Sequence, residues 1–129
     1  MEEKLHHNRP KYLNLLKIRQ PIPAVVSILH RISGVLLFFP GIPLLLYVLQ
    51  QLLESPQTFE RLRDTLDNPM IKLILLLAIW FFLHHLCAGI RHLLLDIRIG
   101  INLPQARAGS KGVLIAGVVL TAAAGLALW

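Results

Sequence analysis

Apolar and uncharged residues run unbroken through positions 32–53, 73–90 and 112–129, and the charged residues collect between these runs. A helix rises about 1.5 Å per residue, so about 18 residues or more suffice to cross a hydrocarbon layer of roughly 30 Å. The pattern predicts an all-α membrane protein: three transmembrane helices in a bundle, preceded by an N-terminal cytoplasmic or interfacial arm. The chain reads as one domain, residues 1–129, with the arm at 1–23 and the helices at about 24–53, 69–98 and 111–129. Pro21 and Pro23 break regular structure before the first span, and Pro40 and Pro43 should bend it. The helix is expected to start near Ala24, because Ser27, His30 and Arg31 continue it into the interface. The charged stretch 54–68 reads as a polar loop, and so does 104–110. The third run is rich in Gly and Ala, which predicts close packing on a neighbouring helix.

Composition supports this picture. Hydrophobic residues make up 55% of the chain and charged residues 16%, and the mean hydropathy is +0.62. A soluble domain of this size carries more charge. The net charge is +6. Nucleic acid is not the implied partner, because the basic residues flank the apolar runs, where they set topology and meet lipid headgroups. Lys4, Arg9, Lys11, Lys17, Arg19 and Arg31 precede the first run. Arg91, Arg98, Arg107 and Lys111 lie between the second and third runs. The loop at 54–68 holds only Arg61 and Arg63 against four acids. The positive-inside rule therefore predicts a cytoplasmic N-terminus and second loop, with the C-terminus on the other side. The first residues lack the compact apolar core and cleavage site of a secretory signal. The single cysteine, Cys87, reads as a small core residue and excludes an intramolecular disulfide and a Cys-x-x-Cys-His haem attachment.

Polar groups inside apolar runs demand a reason. His85 lies deep in the second run. An unpartnered imidazole in hydrocarbon costs on the order of a few kcal/mol, which ligation of a metal or a bond to a neighbouring helix would offset. Gly89 and His92 follow four and seven residues later on the same face. That stripe suits a haem b, its iron ligand deep and its propionates at a cationic rim; it equally suits an interhelical hydrogen bond. His84 is rotated by about 100°, so both histidines cannot serve one iron, and the spacing favours His85. Ser27, His30 and Arg31 share one broad face at the start of span one. A hydroxyl and a permanent guanidinium there could bind quinone carbonyls, or Arg31 could simply snorkel to headgroups. The runs hold no Asp or Glu, which disfavours a proton-coupled transporter. Asp96 lies past the second span, placed to balance Arg91, His92 or Arg98.

The motifs Ser27-Ile-Leu-His-Arg-Ile-Ser-Gly34 and His85-x-x-x-Gly-Ile-Arg-His92 followed by Asp96, with Arg9-Pro10 in the arm, resemble the cytochrome b membrane-anchor subunit of bacterial succinate dehydrogenase, respiratory complex II. The resemblance covers essentially the whole chain. It implies a haem b shared with a second small three-span anchor subunit, with His85 as this chain's axial ligand and His84 as the less favoured candidate. It implies ubiquinone as substrate, with Ser27 and Arg31 in the quinone site. It places His30, Arg31 and His92 near the haem propionates. It also implies docking of an iron–sulfur subunit that carries a flavoprotein. Electrons from that iron–sulfur subunit would then reduce ubiquinone, linking the tricarboxylic acid cycle to the aerobic respiratory chain. The chain itself offers no catalytic site for succinate. The implied location is the bacterial inner membrane, with a cytoplasmic N-terminus and a periplasmic C-terminus. Two rivals stay open: the anchor of a fumarate reductase, and a haem-free membrane scaffold whose histidines only bond helices.

Overall fold

A computed structural model describes residues 19–128. The Arg9-Pro10 motif, residues 1–18 of the arm and the terminal Trp129 lie outside the described residues. Within them the chain is helical, with no strand. Three helical segments are long and apolar enough to cross a membrane: Ile22–Glu54, Pro69–Asp96 and Leu103–Leu128. The first has 33 residues and reaches about 50 Å at the helical rise, well beyond the hydrocarbon thickness. Its excess length accommodates the polar segment Ser27–Arg31 at one end.

The first span is three pieces: α1 (Ile22–Leu36), a π-helical turn (Leu37–Gly41) and α2 (Ile42–Glu54). The expected perturbation at Pro40 takes the form of this π turn. Pro40 has no N–H and would crowd the Leu36 carbonyl in a continuous α-helix. A π turn moves the hydrogen-bond spacing to i→i−5, at which Gly41 faces that carbonyl instead. A Cβ on Gly41 would come within 3.2 Å of Leu36 O, so glycine suits the position. Pro43 follows directly, at the second position of α2.

The stretch 54–68 is not a loop. It contains α3 (Pro56–Leu66), started by Ser55 and Thr58 in a reciprocal capping box. Pro56 in the first turn and Phe59, Leu62 and Leu66 at helical spacing complete the signal. The fourth helix, α4 (Pro69–Asp96), is capped by the Asn68 side chain on Met70 N–H. The fifth, α5 (Leu103–Leu128), begins well before its apolar run. The tract 104–110, expected as a loop, forms its first turns because Pro104 tolerates the helix start and Ala and Gln propagate it. Between α4 and α5 the chain turns through Arg98 and Gly100, both with positive φ.

The spans meet along small residues. Val26 of α1, Ala88 of α4 and Val113 of α5 form the buried apolar core, with Cys87 and Leu114 packed on it. Helix α5 packs mainly on α4, and α1 packs on both. Gly117 of α5 lies over His84, where an added Cβ would stand 3.7 Å from the His84 Cα. Helix α2, by contrast, packs on its chain neighbours, the π turn and α3. Past the π turn the first span therefore leaves a groove open beside α4.

Candidate functional site

The groove has a volume of about 680 Å³ and an almost wholly apolar lining. Gly34, Phe38, Gly41, Leu45 and Val48 line it from the first span. These positions recur at steps of three and four, so they form one helical stripe. Facing them, Leu75, Ala78, Phe82, His85 and Leu86 line it from α4. His85 is the one ionisable side chain in the lining.

The His85 imidazole is held from α1 on several sides. Its Nδ1 lies 3.1 Å from the His30 carbonyl oxygen and 3.1 Å from Ser33 Oγ. A carbonyl only accepts, so Nδ1 carries the proton and donates. The neutral ring then presents an unprotonated Nε2, the form that ligates a metal. Among the described residues Nε2 has no hydrogen-bond partner. The His30 ring stacks on His85, with centroids 4.2 Å apart and planes 11° apart. Gly34 completes the seat: a Cβ there would stand 3.0 Å from His85 Cε1.

His30 also meets His92, ring centroids 5.0 Å apart. The three imidazoles thus form a ladder from the groove toward the end of α4. The space beside Gly89 is filled by His30, whose Nε2 lies 3.5 Å from where a Cβ would be; the glycine serves that ring and does not open the groove itself.

His84 faces the other way. It is 1% exposed, stacked on Trp80 at 5.5 Å, and covered by Gly117. Neither ring nitrogen has a hydrogen-bond partner. The Val26 carbonyl is the polar group that approaches it at longer range. Neighbours in sequence, His84 and His85 are thus divided between the helix interface and the groove by the 100° step of the helix.

Arg31 and Ser27 lie on the stripe that leads through Gly34 into the groove, one and two turns respectively toward the N-terminal end of α1. Ser27 is half-buried and Arg31 is exposed. The structure does not bring them into contact with His85; it places them on the same face, above the groove's upper edge. Among the described residues no carboxylate pairs with Arg31. Asp96, expected near Arg91, His92 or Arg98, is exposed at the end of α4 and forms no salt bridge among the described residues. Arg91 instead reaches α5 and donates to the Ala106 carbonyl at 3.3 Å. The N-terminal end of α1, the C-terminal end of α4 and the start of α5 come together here, so Arg31, Arg91, Arg98, Arg107 and Lys111 make this end of the bundle basic.

Sequence reasoning missed Ser33 as part of this arrangement. The signal was its place three residues after His30 in α1, but only the approach of α4 turns it toward an imidazole.

No group of three or more His, Cys, Asp or Glu side chains converges to hold a bare metal ion among the described residues. The site fits a flat apolar cofactor whose iron needs one nitrogen from this chain: a glycine-lined apolar slot, one imidazole with a free Nε2, and a basic rim at one end.

Comparison with known proteins identifies the family. Residues 6–124 match the model of the succinate dehydrogenase/fumarate reductase transmembrane subunit family. The chain is 35% identical to a succinate dehydrogenase cytochrome b556 subunit of Coxiella burnetii, over 97% of this chain and 100% of that one. It is 34% identical to the protein of that name from Paracoccus denitrificans, over 88% and 86%. It is 32% identical to the one from Rickettsia bellii, over 93% of each. With three apolar spans, a groove carrying one available imidazole, and a match along nearly its whole length, the chain belongs to the succinate dehydrogenase/fumarate reductase transmembrane subunit family.

Proposed function

We propose that this chain is the cytochrome b anchor of a bacterial succinate dehydrogenase, holding one side of a haem b and part of a ubiquinone-reduction site. The observation that carries the reading is His85, set in the apolar groove with its Nδ1 proton engaged and its Nε2 free. His85 is the axial ligand from this chain, and a second three-span subunit supplies the other. His30 and His92 line the path from the ligand to the basic rim, where Arg31 and its neighbouring cations offset the propionate charges. Bound haem would supply a one-electron redox centre beside the quinone.

Ser27 and Arg31, on the groove stripe at the end of α1, are the residues for ubiquinone. The Ser27 hydroxyl donates to a quinone oxygen, and the Arg31 guanidinium stabilises the negative charge that builds on that oxygen during reduction. Both lie at the basic end. The positive-inside rule puts this end in the cytoplasm, where an iron–sulfur subunit carrying the flavoprotein would dock and deliver electrons from succinate. The relatives, all named as succinate dehydrogenase subunits, favour succinate dehydrogenase over fumarate reductase.

The test uses the complex co-expressed with its partner subunits and purified in mild detergent. The reduced-minus-oxidised spectrum is expected to show b-type bands, and His85→Leu to abolish or displace them. Ser27→Ala and Arg31→Leu should each slow succinate-dependent ubiquinone reduction by about tenfold or more, the effect of losing a hydrogen bond to a charged group. Succinate oxidation with an artificial soluble acceptor should be unchanged. A complex that assembles with no b-type bands would make the chain a haem-free scaffold. Full quinone reduction in both variants would remove Ser27 and Arg31 from the site.

A further inference from the structure

The groove ligand does not position itself. Ser33 is fully buried, on the α1 face that carries Val26 and His30 toward α4. Its hydroxyl donates to the His30 carbonyl at 2.9 Å. A serine that bonds back to its own helix is common and by itself has no consequence for a neighbour. Here, however, the hydroxyl has spent its hydrogen on His30, so the Oγ lone pairs remain for an outside donor. The donor that meets them, at 3.1 Å, is His85 Nδ1. The same Nδ1 lies 3.1 Å from the His30 carbonyl. Ser33 Oγ and His30 O therefore form a two-acceptor fork around one N–H.

We propose that Ser33, acting with the His30 carbonyl, is the positioning residue of the haem ligand: the pair fixes His85 as its Nδ1–H tautomer and aims Nε2 into the groove. The inference rests on the reading of His85 as an axial ligand. A single acceptor would leave the ring free to swing about one bond. Two acceptors within one turn of α1 hold the N–H from two sides. The stacked His30 ring prevents tilting on one face. Gly34 lets the backbone of α1 approach within reach of both bonds, since any Cβ there would crowd Cε1. Ser33-Gly34 thus works as a unit, the serine supplying the acceptor and the glycine the clearance. Partners of a metal-ligating histidine set its orientation and raise its basicity, and their removal typically weakens binding about 10- to 100-fold.

Ser33→Ala in the co-purified complex tests this. The variant keeps the helix, since alanine is the better helix former and fits the space. Haem should bind, but transfer to an excess of a haem-scavenging apoprotein about tenfold faster than from the wild-type complex. The midpoint potential of the b haem should rise, because a less basic imidazole stabilises the ferric state less. Ser33→Thr, which retains Oγ, should restore both values toward wild type. Should Ser33→Ala not assemble, Ser33→Cys, close in volume but a poor acceptor, is expected to show the same faster loss and raised potential. Wild-type transfer rate and potential in Ser33→Ala, or in Ser33→Cys where it substitutes, would overturn the proposal while leaving His85 as ligand. A wild-type complex without haem would overturn the ligand reading itself.

Discussion

At the scale of single residues, the contrast between His84 and His85 separates burial from usefulness. His84 is the more buried of the two and makes no hydrogen bond. An unsatisfied buried polar group costs about 1–3 kcal/mol, and for His84 only the Val26 carbonyl at longer range offsets part of that cost. Replacing it by Leu, similar in volume, is expected to leave the b-type spectrum intact. It should hold or raise the thermal stability of the purified complex by about 1 kcal/mol. Loss of haem in His84→Leu with haem retained in His85→Leu would exchange the two roles. The histidine pair shows what was legible at this scale: the helical step separates His84 from His85, and the structure sets His85 and His92 on either side of the His30 ring. The fork from Ser33 and His30 was not legible, because it joins residues more than fifty positions apart and depends on how far α4 advances on α1.

At the scale of elements, length and apolarity located the spans, and local capping chemistry decided the pieces that apolarity does not mark. Helix α3 is mostly polar, so a search for apolar runs passes over it. Its signature is Ser55-Pro56-x-Thr58, and its base on α2 is secured where the Thr58 hydroxyl donates to the Gln51 carbonyl at 2.8 Å. Ser55→Ala removes the cap and should cost about 1 kcal/mol. Amide exchange in the first turn of α3 should then rise severalfold, while exchange in α4 stays as it was. Equal exchange in wild type and variant would show that α3 is held by its apolar face alone. The π turn is a second case. Pro40 announced a disturbance of the first span, but a kink, a break and a π turn are all responses to a missing N–H. The approach of Gly41 to the Leu36 carbonyl belongs to the one adopted here.

At the scale of the whole molecule, the chain buries little within itself. Only 6% of the apolar window of the first span and 11% of those of the other two are buried. Lipid covers apolar surface readily, and on the reading proposed above a partner subunit would close the groove over the haem. Docking of cytoplasmic subunits at the basic end requires the topology proposed from charge. In intact spheroplasts, a cysteine placed at Arg107 in a Cys87→Ser background should be shielded from a membrane-impermeant maleimide. One placed at Glu60 should be labelled. Labelling in the opposite pattern would invert the chain and put the Ser27–Arg31 end on the wrong side for electrons from succinate.

Periodicity, charge and the long apolar runs were sufficient by themselves for three spans, their expected direction, and the identity of the polar residues that needed a reason to be in a membrane. Those properties depend on neighbours in sequence and on the contrast between lipid and water, which act on any such chain. The division of His84 from His85, the use of Ser33 and the opening of the groove below Gly34 came only with tertiary structure. Each depends on where two helices touch, and the contact is set by missing side chains at Gly34, Gly89 and Gly117 and by the π turn at Pro40. A glycine in a sequence reports that space is left; only the packed bundle determines which ring fills it.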